Sequence, residues 1–308
     1  SLTLVGTTSG GPAKVAVIAS GLMGMINGSA IANVATTGTI TIPLMKRTGY
    51  KSEFAGAVEA VASTGGQFTP PIMGAVGFVM AEFLNLSYTY VALVAVTPAL
   101  LYYIGLLLAV HFEAKRLGLS GIARGNIPDA LSVIKKQGHL VLPLVSLIGL
   151  MFTGFTPLYA AVISIFITVA ASWLRKETRM KGDKIIAAVI EGARSAVSVG
   201  VCCVIIGVII GTVTLTSMGL HMGYLILSLL QDNNVYLAGF LVMIMSAILG
   251  MSVPGVAAYV IVQAVAVPVL IKAGVLPLIA HMFCLIYACL SNICLLYTSD
   301  AADDGESV

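Results

Sequence analysis

The chain has 308 residues, 58% of them hydrophobic and 9% charged, with a net charge of +3. Soluble domains carry roughly a quarter of their residues as charges. A mean hydropathy of +1.03 therefore excludes a soluble enzyme or a nucleic-acid-binding domain and indicates a polytopic membrane protein. The five cysteines, Cys202, Cys203, Cys284, Cys289 and Cys294, sit in apolar segments without metal-ligand spacing and read as small buried hydrophobes.

In chain order, Lys14 to Leu44 is apolar but interrupted by Asn27-Gly28-Ser29. Each half has about 14 residues, against ~20 needed to span a bilayer, so the segment is expected to be a re-entrant helical hairpin. Phe54 to Leu84 is interrupted between Ser63-Thr64-Gly65 and Thr69-Pro70-Pro71 and reads as a broken spanning helix. Irregular backbone at membrane depth leaves polar groups that cost several kcal/mol each when unpaired, so it is tolerated only inside protein or around a wet cavity. Two such breaks close together point to a site for an ion or polar solute.

Tyr88 to Phe112 is expected as a plain spanning helix, and Glu113 to Gly138 as a polar loop with a short interfacial helix. Leu140–Phe152 and Pro157–Leu174 are two apolar runs, followed by a basic loop, Arg175–Lys184. Ile185–Ala196 is amphipathic and is expected to lie along the interface before the chain turns into the membrane and runs to Leu230. After a turn at Gln231–Asn234, Val235 to Lys272 is again apolar and broken, at Gly250-Met251-Ser252-Val253-Pro254. Leu276 to Ile293 begins a further span.

With Lys14 on the cytoplasmic side and both broken segments re-entrant, 15 Lys and Arg lie inside and one, Lys272, outside, as the positive-inside rule favours. The two hairpins then enter from opposite faces. Pro43 to Gly49 and Pro268 to Gly274 are both six positions; Gly24 to Pro43 is 19 and Gly250 to Pro268 is 18. Inverted repeats with discontinuous helices mark many secondary transporters, whose site lies at the repeat interface.

The stretch GMINGSAIANVATTG, with AVEAVASTGGQFTPP after it, resembles the large membrane subunit of tripartite ATP-independent periplasmic (TRAP) transporters. Val253-Pro254, Ala257-Ala258-Tyr259, Pro268, Gly274 and Ala280-His281 resemble that family's second repeat. HFEAKRLGL at 111–119 is similar to the fused small-plus-large permeases that work with TAXI-type binding proteins. The resemblance implies an all-α, elevator-type permease of the bacterial or archaeal inner membrane. It would import a small carboxylate-type solute delivered by a periplasmic binding protein and driven by an ion gradient. The implied partners are that binding protein, small-subunit helices fused upstream and the lipid bilayer. Residues 1–87 and 235–293 would form the two halves of the transport core, and 88–234 the scaffold.

Lining of the ion and substrate site is expected from Asn27, Gly28, Ser29, Asn33, Ser63, Thr64, Gly65, Thr69 and Pro70 in one half. In the other half it is expected from Gly250, Val253, Pro254 and Ser291. By resemblance a coupling sodium would sit at Ser29, Asn33, Thr64 and Gly65; protons are the alternative, and no organic cofactor is implied. Glu59, well inside a span, is either a coupling acid or a structural hydrogen-bonding group, the second reading weighing more; His281 reads as structural. There is no H-E-x-x-H, Walker loop or metal-spaced Cys pair, and no Asp lies in an expected span as an aspartyl protease would need. The rival functions are a sodium-coupled anion transporter without a binding protein and a channel-like pore.

The chain starts without Met, in mid-pattern, and is expected to be an N-terminally truncated piece. Residues 294–308 resemble the translation of a sequencing adapter. They carry Asp300, Asp303, Asp304 and Glu306 and no Lys or Arg, and they stand where the family has a second Pro-Pro pair, so they are expected to be a non-native tail.

Overall fold

The computed structural model describes residues 8–119, 138–175, 178–217, 221, 235–251 and 253–299. The regular elements among them are all helical. They are α1 (Gly11–Asn27), α2 (Ala30–Asn33), a π-helical turn (Val34–Gly38), α3 (Thr39–Arg47), α4 (Ser52–Gly66), α5 (Gly74–Leu84) and α6 (Tyr88–Arg116). After a 3-10 turn (Gly138–Val141) come α7 (Leu142–Phe152), α8 (Pro157–Trp173), α9 (Gly182–Leu215), α10 (Val235–Gly250), α11 (Gly255–Val265), α12 (Val267–Lys272) and α13 (Pro277–Ser299).

The first break is a true helix reversal. Gly28, at φ 65, ends α1 in the left-handed conformation, its N–H bonding to Gly24 O, and Ser29 opens the return arm as an N-cap. A side chain at Gly28 would be strained twice over, because a Cβ there would also strike Gly74 Cα. The return arm continues from residue 30 to 47. Its π-helical turn lies upstream of Pro43, which lacks the N–H of a regular turn. α4 ends at Gly66, and the chain resumes as α5 at Gly74 after a loop containing a cis Pro70-Pro71 bond.

The second broken segment repeats this order. α10 has 16 residues and α1 has 17, and each is followed by a reversal and a return arm interrupted near a proline. The return arm here is α11 and α12, parted at Ala266 just before Pro268. Ser252, within the expected break, lies outside the described residues, as do the expected turn Gln231–Asn234 and most of the loop after α6.

Two differences from the sequence expectation stand out. Helix α6 continues through Glu113 to Arg116, where Arg116 donates to Glu113 across one turn at 2.7 Å. Ile185–Ala196 does not turn before entering the apolar run: α9 is one continuous helix of 34 residues. Nothing in its interior breaks a helix, since Gly192 and Gly200 cost about 1 kcal/mol each and no proline intervenes.

Close packing divides the chain into two units: one holds residues 1–86, 90–127 and 206–308, the other 87–89 and 128–205. In the first, α1 lies along α4, α4 along α13, and α13 against α10, α11 and α12. The buried faces are rich in small residues, such as Ala13, Ala16, Ala55 and Ala62 around α1 and α4, and Ala238, Ala258 and Ala288 around α13. Small residues let helix backbones approach closely, which is how helices associate in lipid. In the second unit α7 packs against α8, and Ser146 and Ser164 face one another at 3.4 Å. Among the described residues α6 is the helix long and apolar enough to cross a membrane by length and composition. Leu93, Leu100, Leu101, Ile104 and Leu108 on it are exposed.

Candidate functional site

The first hairpin and the broken helix meet through glycines. A Cβ built on Gly66 would lie 2.5 Å from the carbonyl carbon and 2.6 Å from the Cα of Gly24, so α1 crosses the end of α4 backbone to backbone. One turn further on, Gly28 at the hairpin tip packs on Gly74, where α5 begins. The hairpin tip therefore rests directly on the break of the next helix.

Behind this crossing is a buried polar hub. The fully buried Glu59 carboxylate is ringed by four hydroxyls. Ser20 of α1 donates to Oε1 at 2.8 Å, and Ser63, one turn along α4, does so at 3.2 Å. From the return arm, Thr37 reaches Oε1 at 2.5 Å and Thr41 reaches Oε2 at 2.6 Å. Asn33, also fully buried, spans hub and hairpin: its Nδ2 donates at 2.9 Å to Ser20 O, Ser20 Oγ and Ser63 Oγ. Its Oδ1 accepts from Asn27 Nδ2 at 3.4 Å. Hence both arms of the hairpin and the broken helix are tied to one carboxyl group.

The far side of the break is supported by α6. Tyr102 and Tyr103 donate to the carbonyls of Val61 and Ala62 at 2.8 and 2.7 Å, and their rings close over Gly65. Phe68 meets Tyr102 edge to face, with centroids 5.2 Å apart. Thr64 and Thr69 turn their hydroxyls onto the α4 backbone, at Ala60 O and Gly65 O, 2.8 and 2.6 Å away.

The second half is built around Asn292. With its amide oriented to suit its neighbours, it donates to Val253 O at 2.6 Å and Gly250 O at 3.3 Å and accepts from Gly255 N–H at 3.3 Å. Asn292 thereby ties the second reversal to α13, as Asn33 ties the first hairpin to α4. Gly250 packs on Ala288 and Ser291, and Ser291 donates to Ala288 O at 2.6 Å. The two halves touch where Gln67, in the first break, lies against Gly255 at the start of α11; its Oε1 is buried and unpartnered.

Of the residues named from the sequence, Asn33 and Ser63 are joined directly, and Asn27 is joined to Asn33. Ser29 caps its own helix, accepting from Ala32 N–H at 3.4 Å, so Ser29 and Thr64 bond to their own helices and not to each other. Pro70 is partly exposed in the loop, and Pro254 is the N-cap of α11. Ser20, Thr37, Thr41, Gln67 and Asn292 are functional candidates that sequence reasoning missed. For some of them a signal existed. Asn33, Thr37 and Thr41 follow one another at four-residue intervals, as do Glu59 and Ser63, which puts each set on one helix face. Ser20 and Gln67 carry no such mark. His281 accepts or donates at 2.7 Å with the buried Tyr259 hydroxyl.

The pattern of one protein family, described as tripartite ATP-independent periplasmic transporter, DctM component, matches residues 1–294. The C4-dicarboxylate TRAP transporter large permease protein DctM of Vibrio cholerae is 31% identical over 165 residues, 53% of this chain and 36% of that protein. The protein of the same name from Pseudomonas aeruginosa is 29% identical over 178 residues, 57% of this chain and 41% of that one. The isethionate TRAP transporter permease protein DctMQ of Oleidesulfovibrio alaskensis is 24% identical over 277 residues, 89% of this chain and 43% of that protein. The chain thus spans less than half the length of these relatives. They are transporter permeases, not enzymes.

Proposed function

The chain belongs to the DctM component family of tripartite ATP-independent periplasmic transporters, and from that premise we propose that it is the permease core of an ion-driven importer. It takes a small acidic solute, of carboxylate type, from a periplasmic binding protein and carries it across the cytoplasmic membrane. The observation that supports this reading best is the seating of the hairpin tip on the helix break, Gly28 on Gly74 and Gly24 on Gly66. It collects reversed backbone and short polar side chains at one place inside an apolar fold. The acidic solute is supported by relatives named for C4-dicarboxylate and isethionate. Fusion to small-subunit helices is supported by the long match to a DctMQ permease. A TAXI-type binding protein is supported by the sequence at 111–119 alone.

A coupling cation at this seat would take oxygens from Ser29, Asn33 and Thr64 and the carbonyl of Gly65. In the second half, Gly250, Val253 and Ser291 would serve. The test is uptake into liposomes by the complete protein, with sodium and proton gradients imposed separately, a panel of small carboxylates and sulfonates, and the binding protein present or absent. Saturable uptake that needs both the binding protein and a gradient is expected. Uptake without the binding protein would favour the anion transporter that works alone, and unsaturable flux would mean a pore. Ser29→Ala and Thr64→Val should raise the half-saturating ion concentration while changing ion-free stability by no more than about 1 kcal/mol.

A further inference from the structure

We propose that the solute is a hydroxy-carboxylate, held with its charged oxygens at the N-terminus of α11 and its hydroxyl donating to Gln67 Oε1. Gln67 closes α4, its N–H bonded to Thr64 O at 3.1 Å. Gly66 before it is seated on Gly24, and Phe68 after it lies against Tyr102. With both neighbours fixed, the Gln67 side chain reaches the second half of the chain. There its carboxamide lies on Gly255, the first residue of α11: a Cβ at that glycine would strike Oε1 and lie 2.9 Å from Cδ and 3.1 Å from Nε2. The approach exists because residue 255 has no side chain. Gln67 is 2% exposed, and its Oε1 has no hydrogen-bond partner among the described residues. A buried acceptor without a donor carries its full desolvation cost, which the binding of a donor removes.

The end of α11 lacks the opposite partner. The first-turn N–H groups of a helix have no intrahelical acceptor and carry its partial positive charge. Here the N-cap, Pro254, supplies no side-chain cap, and no acidic residue stands in the first turn. Gly255 N–H is taken by Asn292 at 3.3 Å. The N–H groups of Val256 and Ala257 follow it in that turn and are left for an anion. A ligand that satisfies both needs must bring an acceptor for these amides and a hydrogen for Gln67 Oε1. A plain carboxylate brings only the first, and sets its oxygens against Oε1, acceptor to acceptor. An ammonium group would bring the hydrogen, but the polar side chains at this end, Gln67, Asn292 and Ser291, are uncharged. A buried cation at the positive end of a helix is opposed. A hydroxyl beside the carboxylate meets both needs without a second charge. Ser291 does not supply the missing hydrogen, because its hydroxyl donates to Ala288 O at 2.6 Å. Pro254 is exposed and residues 69–71 are partly exposed, so the amide is approached from that side. That this ligand is the imported solute rests on the transporter reading; its binding does not.

The test is thermal unfolding of the complete protein in lipid nanodiscs, titrated with acids that differ by one hydroxyl. The pairs are lactate with propionate and malate with succinate, and alanine is the amino analogue. An affinity about tenfold higher for the hydroxy member of a pair is expected, and alanine should bind no better than propionate. Gln67→Leu should erase that preference. It should leave the solute-free midpoint unchanged or higher, since it removes a buried acceptor that had no partner; a purely structural glutamine would lower it. Gly255→Ala pushes the amide off α11 and should erase the preference as well. Gln263→Leu makes the same exchange two turns along α11, at a partly buried position, and should keep it. Equal affinities within both pairs, as a reversed Gln67 amide donating to a plain carboxylate would give, overturn the proposal. So does a preference that survives Gln67→Leu, or no binding by any of these acids. Should Gln67→Leu not fold, Gln67→Met, with an unbranched side chain, decides in its place. Binding with the hydroxyl preference but without uptake refutes the transporter reading alone; uptake without the preference refutes this site alone.

Discussion

Replacing Gly66 by alanine tests the helix crossing on which the candidate site depends. The added methyl would lie 2.5 Å from Gly24 C, 2.6 Å from Gly24 Cα and 2.8 Å from Met25 N, whereas ordinary contact begins near 3.4 Å. All three obstacles are backbone, so no rotamer change relieves them, and α1 must retreat from α4 by about 1 Å. Overpacking of this kind costs about 1–3 kcal/mol, and the rigid neighbours put Gly66→Ala at the upper end, about 3 kcal/mol. Retreat would also stretch the Asn33 and Ser20 bonds to Ser63. Gly24→Ala meets its nearest atoms at 3.2 Å and should cost less, about 1 kcal/mol. Gly105→Ala, on the exposed side of α6 with nothing within 4 Å, should be neutral or gain about 0.5–1 kcal/mol from helix propensity. Equilibrium unfolding in detergent micelles would rank the three. If Gly66→Ala is as benign as Gly105→Ala, the two backbones do not touch and the seat described above does not exist.

Substitutions at two other positions probe the supports of the same region. Tyr103→Phe removes the hydroxyl that donates to Ala62 O at 2.7 Å and should cost about 1 kcal/mol in the same unfolding assay; a neutral result would mean that α6 does not brace α4. Asn85 ends α5 with φ 52, in the left-handed conformation, so Asn85→Gly should be tolerated while Asn85→Val costs about 1–2 kcal/mol. Equal effects of the two would contradict that backbone geometry.

The helical class, the two broken segments and their small polar interruptions could be read directly from residue order. Apolar runs too short to span, stopped by Asn27-Gly28-Ser29 or Gly250 to Pro254, are local features, and helix length and reversal follow local chemistry. The continuity of α9 and the extension of α6 to Arg116 were less legible, because amphipathic character and charge mark exposure and do not end a helix. What no local pattern contains is which polar side chains meet. Ser20 lies 39 positions from Glu59 and looks like any serine in an apolar helix, yet it shares the carboxylate with Thr37 and Thr41. Gln67 follows two glycines as an ordinary loop residue, yet it touches the start of α11 in the other half of the chain. Such meetings depend on where helices cross. The crossings are decided by glycine-to-glycine contacts such as Gly24 on Gly66, whose partners are named only by the packed structure.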